Sequence, residues 1–322
     1  MGHDTAKALR HGGAQHAAPL LLCVALLPAG CARHAVSAEA RASSALDGAA
    51  GAETLAAGVV HRAIPTGDGA GVDIVDVDLT RGAAHPVIVT GKVRGGSGLA
   101  YTPQEWLTRT HALAAVNGGY FGQEDEAGRK EFIGLLVRKG RVMHPAPPLT
   151  GQGSATLAPG RYVRSVFGLT RGGAPAIAWA ATAPALVAYD APLIRHRRPR
   201  PWPVTDAIGC GPTLIQRGRV VVTDRLERLA SPGPLPRTFV AYDGPAGHPA
   251  HFVLGVASST TYPDLASFLR DYFSRYDGTQ VEAAMCLDGG ASTQFSYRQG
   301  NAVQSPRFTG VTVPDAVVLL PR

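Results

Sequence analysis

Two apolar runs in this chain end in the same way. "AVNGGYF" at 115–121 and "CLDGGASTQF" at 286–295 each pass through one short polar residue into a Gly-Gly pair. A strand that stops on two residues without side chains turns at once and leaves bare backbone open to close approach. Asp-Gly is also a common turn dipeptide. The motif around Asp288 therefore admits two readings, a plain tight turn or a carboxylate held at the mouth of a core strand. The run before it, "VEAAMCL", is continuous and not alternating, as in a strand buried on both faces.

The rest of the chain supplies further elements. Val75, Val77 and Leu79 alternate with Asp76 and Asp78, which predicts a half-buried strand. Thr102, Pro103 and Glu105 form a capping box that opens one helix. Thr261, Pro263 and Asp264 open a second, whose Leu265, Phe268, Leu269, Tyr272 and Phe273 make one apolar stripe. Strand pairs are predicted around Lys139-Gly140 and Arg217-Gly218, and "RTFVAYD" and "HFVLGVAS" read as strands. These elements predict an α+β fold, a mixed β-sheet core with flanking helices in a single catalytic domain over 58–322. Residues 171–205 are irregular enough to form an insertion or flap. Asp288 then sits at the carboxyl end of a core strand, where ligand sites gather in open α/β sheets.

Residues 1–31 read as an export leader: Lys7 and Arg10 precede the short apolar stretch "APLLLCVALLPAG". "LPAGC" resembles a lipobox with Pro28 in an unusual place, which makes Cys31 a lipidation candidate; cleavage after Ala38 is the alternative. Residues 32–57, Ala-rich and polar, read as a flexible tether. The expected location is periplasmic or outer envelope, with a lipid anchor on the membrane.

Composition excludes several classes. Apolar content of 45% and charged content of 17% in 322 residues describe a globular chain. The net charge of +7 suits an anionic surface or phosphorylated ligand and does not call for nucleic acid. The basic run "RHRRPRPWP" at 195–203 is interrupted by proline and reads as a solvated loop. No CxxC, P-loop or HExxH occurs, and Gln294 breaks the Gly-x-Ser-x-Gly spacing that a serine nucleophile at Ser292 would need. Arg237, opening "PRTFVAYD", offers a planar fork for phosphate or carboxylate, although an arginine at a strand start is usually only solvated.

Taken in order, "AVNGGYF", "IGLLVRKGRV", "GCGPTLIQRGRV", "PRTFVAYD" and "CLDGGASTQF" resemble the phosphodiester glycosidase domain family over roughly 58–320. Tyr120, Ala291, Thr293 and Cys210 depart from that family's usual residues. The resemblance implies hydrolysis of the bond between a sugar's anomeric carbon and a phosphate, in envelope or exopolysaccharide glycans. A phosphate ester, with a second pKa of about 6, leaves without full protonation. A cation on the phosphate then matters more than a strong general acid.

The resemblance implies Asp288 as base or nucleophile and Arg237 as phosphate clamp. Asn117, Ser292 and Thr293 would bond sugar or phosphate oxygens. Gly118, Gly119, Gly289 and Gly290 would permit close approach, and Gly211 and Thr238 would border the same cleft. No cofactor is firmly implied, while Asp288, Asn117 and the hydroxyls leave room for a divalent cation. Glu124, Asp125, Glu126 and Glu131 are candidates for a second carboxylate. Cys210 and Cys286, placed in one cleft by the resemblance, either pair as a disulfide or pack as separate thiols. A non-catalytic carbohydrate- or phosphate-binding envelope lipoprotein is the alternative function.

Overall fold

A computed structural model of the chain describes residues 51–66, 70–150, 161–182, 185–194, 197–229, 233–244 and 248–322. The expected leader, Cys31 and most of the expected tether lie outside these residues.

Three antiparallel sheets dominate. The largest has eight strands, in the order Ala52–Ala56, Val59–Pro65, Gly71–Asp78, His251–Thr260, Leu235–Asp243, Val281–Cys286, Thr213–Gln216 and Arg219–Val220. A seven-stranded sheet is centred on Val204–Cys210 and Arg164–Thr170. A five-stranded sheet runs Ala302–Arg307, Phe295–Gln299, Ala114–Asn117, Asp315–Pro321 and Ala84–Thr90.

The expected α+β architecture with helices flanking a mixed sheet is corrected by this arrangement. Among the described residues strands take 54% against 12% helical, and only two α-helices occur. The reason lies in what covers the sheets. Along Leu235–Asp243, Val240 and Tyr242 join a core shared with Phe167, Phe252, Met285 and Phe295 of the other strands and sheets. Phe239 and Ala241, on the opposite face, meet a helix. Sheet-on-sheet burial makes strand runs continuously apolar in an antiparallel fold as well, and each large buried side chain contributes roughly 1.5–3 kcal/mol.

The two helices start where their capping residues predict. Helix α1, Pro103–Thr110, has a complete capping box between Thr102 and Glu105, and its Trp106 and Leu107 pack on Ala115, Ala316 and Val318. Helix α2, Tyr262–Tyr272, is capped by Thr261, whose side chain accepts from the Asp264 N–H. Its stripe of Leu265, Phe268, Leu269, Tyr272 and Phe273 is buried on the largest sheet. The predicted turns at Lys139-Gly140 and Arg217-Gly218 close strand pairs, with positive φ at all four residues.

Three other expectations change. Ala52–Ala56 pairs with Val59–Pro65, so ordered structure begins inside the stretch expected to be tether. The segment 171–205, expected to be irregular as an insertion or flap, supplies Pro175–Thr182, Leu186–Tyr189 and Arg200–Pro201 as consecutive strands of the seven-stranded sheet. Gly71–Asp78 is covered on both faces, and Asp76, read as solvent-facing, is buried beneath the end of α2.

Candidate active site

The three sheets converge at one point. Val281–Cys286 delivers Asp288 just past its carboxyl end, and its neighbour Leu235–Asp243 begins there with Arg237. The Val204–Cys210 strand runs into Gly211-Pro212 beside them: the Gly211 N–H donates to the Cys286 carbonyl at 3.1 Å, and the Cys286 N–H to that of Pro212 at 3.0 Å. From the five-stranded sheet come Asn117 and, on the adjacent strand, Asp315, with Ala316 paired to Asn117.

Asn117 ties these ends together and is completely buried. Its Nδ2 donates to the Asp288 carbonyl at 2.8 Å. Its Oδ1 accepts from Thr238 Oγ1 at 2.7 Å and from the Gln294 N–H at 3.1 Å. The Asp288 N–H in turn donates to the Gly118 carbonyl at 3.0 Å. Asn117 and Thr238, expected to bind ligand, therefore spend their polar atoms on each other and on backbone, which makes them positioning residues. The same engagement removes Asn117 Oδ1 from any cation site shared with Asp288.

The Gly-Gly pair at 118–119 is there for close packing. A Cβ on Gly118 would lie 1.9 Å from Asp315 Oδ1, and one on Gly119 2.8 Å from the Gly209 carbonyl. The Gly119 N–H donates to Asp315 Oδ1 at 2.6 Å. Asp315 is thus a second carboxyl under the first turn. It was missed in the sequence, where it merely opens the apolar run "DAVVLLP". The other acids expected to fill that role sit elsewhere. Asp125 caps an exposed turn through the Ala127 and Arg129 N–H groups, and Glu124 pairs with Lys130 at 3.6 Å. Glu126 and Glu131 are exposed.

Burial sets the electrostatics. It pushes the Asp288 carboxyl up to about 6, against hydrogen bonds from Ser292 and the Gly289 N–H that pull it down. It pushes Asp315 up to about 7; the Gly119 hydrogen bond opposes this and the nearby Asp288 charge adds to it. A carboxylate poised just below neutral pH is suited to proton transfer or nucleophilic attack.

Arg237 lies alongside this acid: a Cβ on Gly289 would be 3.7 Å from Arg237 Nη1. The guanidinium stacks 3.9 Å above the Tyr262 ring at the start of α2, and Nη1 donates to Tyr262 Oη at 2.9 Å. Nε and Nη2 are buried with no partner among the described residues. Two orphaned charged donors next to a turn of bare backbone have the chemistry to hold an anion. Tyr120 reaches the Gly-Pro turn, donating from its hydroxyl to the Gly211 carbonyl at 2.7 Å.

Ser292 is buried against Asp288, and Gly290 stands in open space with positive φ. Thr293 is buried with its Oγ1 unpartnered. Cys210 and Cys286 are free buried thiols, so the disulfide alternative is not formed. Their side chains join different apolar clusters, Cys210 the one between sheets and Cys286 the one beneath α2. Burial pushes the Cys286 thiol up to about 12 and that of Cys210 well above its ordinary value, which disfavours the reactive thiolate at both.

Beneath Gly211, Glu227 forms a buried hub. It accepts from the Ser165 N–H at 2.7 Å, from Ser165 Oγ at 2.6 Å, from Trp179 Nε1 at 3.0 Å and from Thr223 Oγ1. A Cβ on Gly211 would meet its carboxylate at 2.6 Å, so this hub fixes the Gly-Pro turn from below.

A family model described as phosphodiester glycosidase matches residues 110–320. The catalytic domain of zebrafish N-acetylglucosamine-1-phosphodiester alpha-N-acetylglucosaminidase, solved in a form auto-inhibited by its pro-peptide, is similar in fold. The TM-score is 0.53 and the identity 15%, over 85% of this chain and 87% of that one. A hypothetical protein from Synechocystis is similar with a TM-score of 0.50 and 15% identity, over 82% of this chain; the match spans only 62% of that protein's length. No curated protein matches the chain.

Proposed function

The chain belongs to the phosphodiester glycosidase family, and from that premise we propose that it hydrolyses a sugar 1-phosphodiester, with Asp288 acting at the anomeric carbon and Arg237 holding the phosphate. The observation that carries this reading is that Gly289, the residue after Asp288, lies against Arg237, whose Nε and Nη2 are buried with no partner among the described residues. A carboxylate alone would fit many hydrolases. A carboxylate beside an orphaned arginine fork fits a substrate whose leaving group is an anion.

In this reading Asp288 either attacks the anomeric carbon or takes a proton from the water that does. The anomeric C–O bond breaks, and its electron pair leaves on the phosphate oxygen while Nε and Nη2 of Arg237 take up the charge. Glycine at 289 lets the phosphate reach the guanidinium. Ser292 steadies the Asp288 carboxylate. Asp315 holds the Gly118-Gly119 turn on which the Asp288 N–H rests, as a positioning residue.

The proposed substrate is a phosphodiester-linked glycan of the cell envelope or an exopolysaccharide, and the proposed location is exported and lipid-anchored. The leader pattern and "LPAGC" support both. A fatty-acid label on the protein that Cys31→Ser abolishes would bear out the anchor, and an unlabelled soluble protein would remove it.

Incubating the purified protein with a sugar 1-phosphodiester and measuring released sugar, beside the Asp288→Asn variant, tests the activity. Release by the parent alone is expected. Tight binding without release would favour the carbohydrate-binding lipoprotein, and neither binding nor release would defeat both.

A further inference from the structure

At the far end of the largest sheet from Asp288, three potential ligands converge that the proposed hydrolysis does not use. Asp76 lies opposite Val253, and His251 is two residues along the same strand, so both project from one face. Asp277 ends the π-type turn Phe273–Asp277 that continues α2 over that face. One ligand atom from each of the three lies within 4.8 Å of the others. Arg237 pairs with Ala257, six residues beyond His251, which at about 3.3 Å per residue separates the two places by about 20 Å.

We propose that Asp76, His251 and Asp277 form a site for a single transition-metal dication of the zinc class. His251 Nδ1 stands 3.5 Å from Asp76 Oδ1 and 3.6 Å from Asp277 Oδ1. Nδ1 makes no hydrogen bond of sound geometry to either. The Asp277 side chain is only 5% exposed, and its Oδ2 has no partner among the described residues. Separations of 3.5–3.6 Å are long for hydrogen bonds. They fit the edge of a tetrahedron whose metal–ligand bonds are about 2.0–2.2 Å, an edge of about 3.3–3.6 Å.

The surroundings match a metal site in a second way. Asp76 Oδ2 is already engaged, accepting from Tyr272 Oη at 2.8 Å, with Arg62 Nη1 3.7 Å away and donating to Tyr272 Oη at 3.1 Å. Those contacts orient the carboxylate and leave Oδ1 turned toward His251, the role that outer hydrogen bonds play around ligating carboxylates. One imidazole with two carboxylates suits zinc and its neighbours better than calcium or magnesium, which take oxygen donors only. The cation would join Gly71–Asp78, His251–Thr260 and the end of α2.

The test is metal uptake by the full-length protein after treatment with a chelator. Titration with Zn²⁺ should show one equivalent bound and a higher melting temperature. Co²⁺ should give the visible absorption of a tetrahedral site without a thiolate charge-transfer band. His251→Gln and Asp277→Asn should each weaken Zn²⁺ binding at least ~100-fold, the upper end of what losing an outer partner costs. Neither variant should alter phosphodiester hydrolysis. Failure of the folded wild type to bind Zn²⁺, uptake of Ca²⁺ in preference, or undiminished uptake by both variants would overturn the site. A variant that does not fold leaves the decision to the wild-type stoichiometry and the cobalt spectrum.

Discussion

Asn117 donates from Nδ2 to the main-chain carbonyl of Asp288, 2.8 Å away and 171 residues later in the chain. That single side chain also accepts from Thr238 and Gln294, so strand ends from two sheets meet on one amide. Asn117→Ala leaves two buried donors and one acceptor without partners, and each costs about 1–3 kcal/mol. The variant is expected to lose at least about 3 kcal/mol in urea denaturation and to turn over slowly. Unchanged stability would mean that the bracket is not formed.

Asp288→Asn preserves shape and removes the acid function. It should fold like the parent and lose about 10³-fold in turnover of a sugar 1-phosphodiester, the scale on which catalytic proton transfers act. Parent-like hydrolysis would take the chemistry away from this residue.

Arg237→Lys retains charge and gives up the planar fork. Affinity or turnover should fall on a phosphodiester and change little on a matched substrate with a neutral leaving group. An equal loss on both would count against phosphate recognition.

The pH profile carries a sign. A base or nucleophile titrating at about 6 must be ionised to act. The value of kcat/KM is therefore expected to rise about tenfold per pH unit below 6 and level off above it. A profile that falls through that range would make Asp288 a general acid instead.

Asp315 makes the opposite kind of contribution, to stability. Its carboxyl titrates at 3.8 in an ordinary environment and at about 7 in the folded protein. The folded state then holds an extra proton between those values, so this group's contribution to stability declines as pH rises through that window. Asp315→Asn keeps an acceptor for Gly119 and has no proton to lose. Chemical denaturation from about pH 4 to 8 should show a smaller decline in the variant than in the parent.

Local signals survived into the structure where local physics decides them. Thr102 with Glu105, Thr261 with Asp264 and the two Xaa-Gly turns depend on residues a few positions apart, and all formed as their chemistry requires. Asp288 and Arg237 stand out in the sequence through glycine turns and motif order, and the structure brings their strand ends side by side. Asp315 does not, because its importance comes from lying across a strand pair under Gly118, 197 residues away in sequence. Asp76 misled for a similar reason: alternation marks a second face, and only α2 decides whether that face is wet. The α+β expectation took continuous apolar runs for strands of a helix-covered sheet, whereas other sheets cover most of them. Since the strands are antiparallel, Asp288 leaves the end of one strand where Arg237 and Thr213 enter others. Ligand groups thus arrive at this edge from both chain directions.

The stacking of Arg237 on Tyr262 has a consequence for how the proposed activity would be retuned. The guanidinium is wedged between an aromatic plate on α2 and the backbone at Gly289, so replacing either wall disturbs the helix start or the acid itself. The residues after Gly290 are held more loosely: Ala291 is exposed, and Thr309 Oγ1 donates to its carbonyl at 2.8 Å from a loop that also carries the exposed Phe308. A directed-evolution campaign for a new sugar preference should collect its surviving substitutions at 291 and 308–312. Positions 237, 262 and 289 should stay as they are in every active clone.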